Sequence, residues 1–258
     1  MATVNDIAER YFAELTTLSP NVGTFLGLGE PTAELTDYSP ASIAARTELV
    51  HRTLADLEAV DAGGTRDDRL AKAFMQERLQ TDLESKEAGD ELRRISNLWS
   101  YYSETRQVFD LSPVATEADW ELIAGRMENV PGALRSAQAA LEEGIRGGVV
   151  ASRRQAEAVA HQLATWAGET PGERPWFNGF VARAPEDVTR SALGARLEAA
   201  AGLATDALRE AQRYMSGTYL AAATPSSRIR SFSTTRRLLR FLGMMAICNR
   251  WSRSSSKP

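Results

Sequence analysis

Three apolar stripes with helical spacing lie close together in the chain, and they constrain the fold more than any other feature. The first runs from Trp120 to Val130, the second from Leu134 to Ile145, and the third from Val159 to Trp166. In each, apolar residues recur at intervals of three or four, the period of one face of a helix. Because the links between them are short, the stripes must pack on one another or stay exposed to water. The sequence therefore predicts a central layer of helices.

Helix boundary signals flank these stripes. Thr116 followed by Asp119 has the form of a capping box, and Gly147-Gly148 is a typical helix stop. Val130-Pro131 predicts a break, because proline disfavours helix in the residue before it. Similar start signals precede three earlier helices, at Thr3 with Asp6, Ser39 with Pro40, and Thr65 with Asp68.

The rest of the chain up to residue 224 continues the helical pattern. We expect an ordered loop over residues 20–38, a loop over 169–177, and a long helix starting at Glu186-Asp187. The third helix is expected to bury Leu70, Phe74, Leu79 and Leu83. No period-2 runs of β-branched residues occur, so a sheet is not expected. The predicted fold class is all-α, a multi-helix array of antiparallel hairpins over residues 1–224.

Several short motifs share an order and spacing seen in one bacterial family. They are Asp37-Tyr38-Ser39-Pro40, Val108-Phe109-Asp110-Leu111-x-Pro113, Asp119-Trp120, Val130-Pro131, Leu134, Leu141, Gly144, Gly147 and Arg153-Arg154-Gln155. In these motifs the chain resembles the "domain of unknown function 885" family from near Tyr11 to about Tyr219. Family members resemble all-helical zinc metallopeptidases with a thermolysin-type motif.

The resemblance implies a helical half of a larger metallopeptidase-like fold. In the family the zinc-binding His-Glu motif lies in the C-terminal half of a much longer chain, and this sequence has no His-Glu-x-x-His motif. The resemblance therefore implies that this chain is a truncated N-terminal half that forms a substrate-cleft wall and is inactive alone. Peptides are the implied substrates, and zinc is expected only in the full-length family, with no cofactor or metal in this chain.

Composition indicates a soluble protein. The chain is 43% hydrophobic and 25% charged, and it has no apolar run of about 18 residues, so no membrane span is expected. The N-terminus shows no secretory signal, and the single cysteine, Cys248, excludes an internal disulfide. These features predict a cytoplasmic location.

The last 34 residues differ in composition from the rest. From Pro225 onward there are eight basic residues, eight serines and no acid, whereas the first 224 residues carry 22 basic and 34 acidic side chains. We interpret residues 225–258 as a basic tail produced by an out-of-frame gene end. A nucleic-acid or membrane-binding tail is the alternative, and no nucleic-acid partner is expected.

Aromatic clusters supply the candidate site residues. Trp99, Tyr101 and Tyr102 fall within four positions, and Trp176-Phe177 lie in the predicted 169–177 loop. The favoured reading of the first cluster is a buried aromatic corner, and the alternative is a cleft wall. All five residues are kept as substrate-wall candidates.

Candidate metal ligands and nucleophiles are few. Glu48-x-x-His51 has the spacing used in helical di-iron sites, but His161 has no glutamate at the matching position. A solvated or structural role is favoured for both histidines. Ser19 and Ser112 precede prolines and have no nearby histidine, so no catalytic residue is assigned.

Two function hypotheses follow. The first is the inactive helical half of a metallopeptidase-like protein that contributes a substrate-cleft wall. The second is a helical protein-interaction module with a basic tail, in which exposed aromatic side chains around Trp176 contact a partner chain.

Overall fold

The structure, a computed structural model, describes residues 3–61 and 65–225, and the regular secondary structure of this part of the chain is helical. The early helices are α1 Val4–Leu18, α2 Pro20–Leu26, α3 Pro40–Ala59, α4 Arg66–Glu87, a 3₁₀ turn Glu91–Arg93, and α5 Tyr101–Asp110. The later ones are α6 Glu117–Arg146, α7 Arg153–Trp166, α8 Trp176–Val181, α9 Glu186–Thr189, α10 Ala192–Tyr214, a π-helical turn Met215–Tyr219, and α11 Leu220–Ala222. The described residues form no strand, which confirms the all-α fold class.

The predicted helix starts are confirmed by their caps. Thr3 and Asp6 form a reciprocal capping box at α1, and Thr116 and Asp119 form another at α6. The Ser39 side chain caps α3, with Pro40 at its first position, and Thr65 caps α4. These side chains accept hydrogen bonds from amides that have no partner within the helix, so the helix starts can be read from local sequence.

The break predicted at Val130-Pro131 is wrong, since α6 runs through it for 30 residues. Proline inside a helix removes one hydrogen bond and costs about 3 kcal/mol. Val130, Ala133 and Leu134 continue one buried face across Pro131, and this face packs along α10. Burial on both sides of the proline offsets the local cost, because each large aliphatic side chain contributes about 1.5–3 kcal/mol.

Four other expectations need correction. Residues 20–26 are helical rather than loop, and the predicted loop before residue 178 already turns into α8 at Trp176. The helix predicted from Glu186 is split into the four-residue α9 and the long α10, which begins after its own cap, Ser191. Leu70 and Phe74 are exposed, because α1 and α3 contact α4 through the later part of its apolar stripe, Leu79 and Leu83.

Two hydrophobic cores hold the helices together. The larger core surrounds α10, which packs along α6, α7 and α8, while α6 and α7 make little contact with each other. The prediction that the three apolar stripes pack on one another is therefore wrong: the first two share α6, and α6 and α7 both pack on α10 instead. A smaller core lies between α1, α3 and α4, and its fully buried members are Val4, Ile7, Val50, Leu57, Leu79 and Leu83. Between the two cores runs a seam, and polar groups concentrate there.

The end of the described chain is fixed to the start of α7. Thr224 exchanges backbone hydrogen bonds with Ala151 and Arg153. Residues 226–258, nearly all of the predicted basic tail, lie outside the described residues. The domain boundary at residue 224 therefore stays a prediction. Within the described ranges, no helix has the length and apolar character to cross a membrane.

Candidate functional site

A pocket of about 250 Å³ opens on the seam between the two cores. We call it the seam pocket. Its rim is apolar and is formed by Tyr11, Leu15, Val22, Phe25 and Trp99. Its floor is charged and is formed by Arg46, Asp82, Lys86, Glu91, Arg94 and Glu104. An apolar mouth over a few convergent polar groups is the usual form of a small-ligand site.

Glu104 lies at the centre of the floor. It is 3% exposed, on the buried face of α5. Its Oε1 accepts a hydrogen bond from the Tyr38 hydroxyl at 2.9 Å, and its Oε2 accepts one from Nη2 of Arg94 at 2.5 Å. Tyr38 in turn accepts a hydrogen bond from Nδ2 of Asn21 at 2.8 Å. Both carboxylate oxygens of Glu104 are thus occupied by protein donors.

Glu91 forms the second half of the floor. Lys86 Nζ lies 3.1 Å from its Oε1, and Arg46 Nη2 lies 3.5 Å from its Oε2. Arg46 is itself buried and also donates to the Asp37 carbonyl and the Ser42 hydroxyl. These contacts join α3, α4 and the 3₁₀ turn, so the charges that line the pocket also connect the two cores.

The pKa values of Tyr38, Glu91 and Arg94 are shifted by burial and by the charges around them. Burial raises the pKa of Tyr38 well above its usual value, and the nearby charge of Glu104 raises it further. Burial alone would raise the pKa of Glu91, but the charges of Lys86, Arg46 and Arg94 hold it below its usual value. Arg94 is desolvated too, yet the Glu104 and Glu91 carboxylates leave its pKa raised. Glu91 and Arg94 are therefore favoured in their charged forms, and Tyr38 in its protonated form.

Arg94 connects the floor to the rim. Its guanidinium carbon lies 5.4 Å from the ring centroid of Trp99 and 5.4 Å from that of Tyr101. Stacking between aromatic rings orients a guanidinium and leaves its edges free to donate. Arg94 has five N–H groups, and its contacts with the described residues include a single hydrogen bond, to Glu104.

Around Arg94, the hydrogen-bonding capacity that remains is therefore donor capacity. The carboxylates of Glu91 and Glu104 each have both oxygens engaged, whereas Arg94 keeps unused N–H groups. Burial, with a smaller contribution from Asp82, raises the pKa of Tyr11 to about 12, so its hydroxyl at the rim also stays protonated. A pocket with this balance suits a ligand that brings acceptors.

The five substrate-wall candidates occupy different places. Trp99 is 49% exposed and lines the seam pocket, and Tyr101 is buried beneath it, against Tyr38 at a ring-centroid distance of 4.6 Å. Tyr102 is buried in the larger core. Of the five candidates, Trp99 alone lines the seam pocket, Tyr101 shares the Arg94 guanidinium with it from the larger core, and Tyr102 lies elsewhere in that core.

Trp176 and Phe177 belong to an aromatic cluster away from the seam pocket. Phe177 is buried against Phe109, and half-buried Trp176 stacks on Phe180. The Arg106 guanidinium carbon lies 4.9 Å from the Trp176 ring centroid. The interaction-module hypothesis expects these aromatic side chains to contact a partner chain. In the structure they contact other residues of this chain.

The remaining sequence candidates lie apart from one another. His51 and His161 are both exposed, on α3 and α7. The described residues contain no group of three or more histidine, cysteine, aspartate or glutamate side chains placed to hold a metal ion. Ser112 is buried, where it donates to the Val108 carbonyl and accepts a hydrogen bond from Arg126. Ser19 is also buried, at the junction of α1 and α2.

Sequence reasoning missed the charged floor, although one signal was present. Glu104 falls three residues after Tyr101 and four before Val108, on the same helix face. A carboxylate on a face that is otherwise apolar has to find a partner when it is buried. The partners Arg94 and Tyr38 are supplied by irregular segments, whose positions the helical period does not predict.

The fold and the pocket together define an all-helical protein with a charged ligand-sized site between two hydrophobic cores. The chain belongs to a bacterial protein family of unknown function, DUF885, whose family model matches residues 20–237. The matched range contains the whole charged floor, excludes α1 and extends into the predicted basic tail, residues 225–258. A search of curated proteins found no match to this chain.

Proposed function

We propose that this chain is a helical ligand-binding domain of a metallopeptidase-like protein, and that the seam pocket receives the carboxylate end of a peptide. The observation that carries the proposal is the donor capacity of Arg94: Glu91 and Glu104, the two carboxylates nearest to it, have both oxygens engaged, while the stacked guanidinium keeps unused N–H groups. A peptide C-terminus supplies two acceptor oxygens in a geometry that a guanidinium can bind with two parallel hydrogen bonds.

The size of the pocket limits what enters it. Sites that enclose a drug-sized ligand measure about 300–1,000 Å³, so a cavity of about 250 Å³ accommodates one residue at the end of a chain. The apolar rim, with Trp99 and Phe25 at a ring-centroid distance of 6.3 Å, would contact the side chain of that residue. In this proposal the pocket forms part of a substrate-cleft wall, and zinc chemistry belongs to sequence outside this chain.

Trp99→Ala is expected to weaken binding of a free-ended tripeptide, measured by isothermal titration calorimetry, by about tenfold. The substitution removes both the rim contact and the ring that orients Arg94. Amidation of the peptide C-terminus is expected to weaken binding similarly, because it removes the charge that Arg94 recognises. Leu98→Ala is the matched control, since Leu98 is the adjacent residue, is 79% exposed and does not line the pocket.

The same pair of variants distinguishes peptide binding from the second candidate function, a helical protein-interaction module. This alternative is favoured by three large exposed apolar side chains, Leu26, Leu98 and Trp99. Trp99 lines the rim of the pocket, and Leu26 and Leu98 are each adjacent in sequence to a rim residue. A flat partner surface would involve Leu98 as well as Trp99. Equal effects of the two alanine substitutions on a partner's affinity, with no peptide binding, would contradict the peptide proposal and support the module.

The purified chain is expected to show no chelator-sensitive peptidase activity toward fluorogenic peptides in the presence of added zinc. The reason is the residue set: the sequence has two histidines and no His-Glu-x-x-His motif, whereas catalytic zinc sites of this class take three protein ligands. The measurement is the initial rate with and without a chelator. If peptide hydrolysis occurs and the chelator abolishes it, the proposal that zinc chemistry belongs to sequence outside this chain is wrong.

A further inference from the structure

A second pocket, of about 440 Å³, lies on the other face of α2 and holds a buried arginine in its wall. We call it the threonine pocket. Its lining includes Thr16, Thr17, Thr24, Thr32, Gly23 and Arg126. It is separate from the seam pocket, because the α2 residues that line it are Pro20, Gly23 and Thr24, whereas Val22 and Phe25 line the seam pocket.

Arg126 is 2% exposed, on the buried side of α6. Its Nε donates to the Thr32 carbonyl at 2.8 Å, its Nη1 to the Ser112 hydroxyl at 2.6 Å, and its Nη2 to the Thr24 hydroxyl at 3.1 Å. All three acceptors are uncharged. Among the residues that the structure describes, no carboxylate forms an ion pair with Arg126, and Glu30, the other charged residue of the pocket, is exposed.

A buried guanidinium without a counter-charge is an unusual arrangement. Buried charges in proteins are nearly always paired, because desolvation of an unpaired ion is costly. Burial lowers the pKa of Arg126, in contrast to Arg94, where two carboxylates raise it. In addition, three hydrogen bonds leave two of the five guanidinium N–H groups for other acceptors.

We propose that the threonine pocket binds a small oxyanion, a phosphate or carboxylate group, on the guanidinium of Arg126. The anion supplies the missing counter-charge and accepts hydrogen bonds from the remaining N–H groups. The threonine hydroxyls around the pocket offer further donors once they rotate away from their helix carbonyls. Thr16 and Thr17 at present both donate to the Ala13 carbonyl, and Thr24 donates to the Pro20 carbonyl.

The test is thermal unfolding of the full chain in sodium phosphate, sodium acetate and sodium chloride at matched ionic strength. With a Kd near 1 mM, 10 mM of the binding anion is expected to raise the melting temperature by about 3 °C over chloride. A response to phosphate alone assigns a phosphoryl ligand, and a response to acetate assigns a carboxylate. No response to either anion beyond chloride overturns the proposal.

Thr24→Asp provides the decisive variant. It places a carboxylate beside Nη2 of Arg126, so the protein itself supplies the counter-charge. We expect the anion response to disappear and the melting temperature without added anion to rise. Thr47→Asp is the matched control, because Thr47 is also a part-buried helical threonine whose hydroxyl donates to the carbonyl four residues earlier. An anion response that persists in Thr24→Asp, or that Thr47→Asp removes equally, overturns the assignment to Arg126.

Discussion

Glu104→Gln is expected to lower the free energy of unfolding by about 3 kcal/mol. The substitution keeps the shape of the side chain but removes the charge that Arg94 contacts at 2.5 Å. Breaking a buried pair leaves the other ion uncompensated, which costs about 3–5 kcal/mol. The expected cost is at the lower end of this range because the Arg94 side chain is 23% exposed and still has the Glu91 carboxylate nearby. Urea denaturation monitored by circular dichroism measures the change.

Glu128→Gln is the matched control for this prediction. Glu128 accepts two hydrogen bonds from Arg196, both at 2.7 Å, but the pair lies on the surface. Exposed pairs contribute about 0.2–1 kcal/mol, so Glu128→Gln should lower the free energy of unfolding clearly less than Glu104→Gln does. Adding Arg94→Met to Glu104→Gln should restore part of the stability, because it removes the unpaired charge. Equal effects of the two glutamine substitutions would contradict the prediction, because the buried Glu104–Arg94 pair would then contribute no more than an exposed pair.

The same network explains why the pocket can be both stable and open to a ligand. Its charges are held by α3, α4, α5 and the 3₁₀ turn, so their positions are fixed before any ligand arrives. A ligand that binds fixed donors avoids the cost of ordering them. The rim residue Trp99, in contrast, precedes α5 in an irregular segment and is 49% exposed.

Helix starts and the all-α class could be predicted from the sequence, because both depend on local chemistry. A capping threonine bonds an amide two or three residues away, and an apolar stripe is visible within one window of sequence. The tertiary contacts that decide whether a helix continues through a proline are not local. Pro131 stays inside α6 because of packing along α10, whose first residue lies more than 60 positions later.

The candidate site was only partly predictable, for a related reason. Trp99 was identified as an aromatic residue in an irregular segment, and it does line the pocket. Glu104 and Arg126 carried a signal of their own, a charge on an apolar helix face, which indicates burial but not the partner. Their partners lie in other segments, as with Tyr38 for Glu104 and Thr32 for Arg126, and sequence spacing does not encode such pairs.

One of the residues that carry the family resemblance allows a close approach between two elements. This residue is Gly144, and a Cβ at this position would lie 2.3 Å from the Leu92 carbonyl oxygen and 2.6 Å from that of Val149. Both are backbone atoms, so neither can move aside by rotating a side chain. Gly144 thus allows α6 to approach the 3₁₀ turn Glu91–Arg93, which carries Glu91 of the pocket floor.

Gly144→Ala is accordingly expected to lower the free energy of unfolding by about 3 kcal/mol, the upper part of the usual range for overpacking. Gly132→Ala, in the same helix, is the control: no atom lies within 4 Å of its added Cβ, and loss of glycine flexibility should stabilise the helix by about 0.5–1 kcal/mol. Urea denaturation of both variants gives the comparison, and similar small effects would contradict the close approach. Because the turn must shift to admit the methyl group, Gly144→Ala should also weaken peptide binding, whereas Gly132→Ala should leave it unchanged.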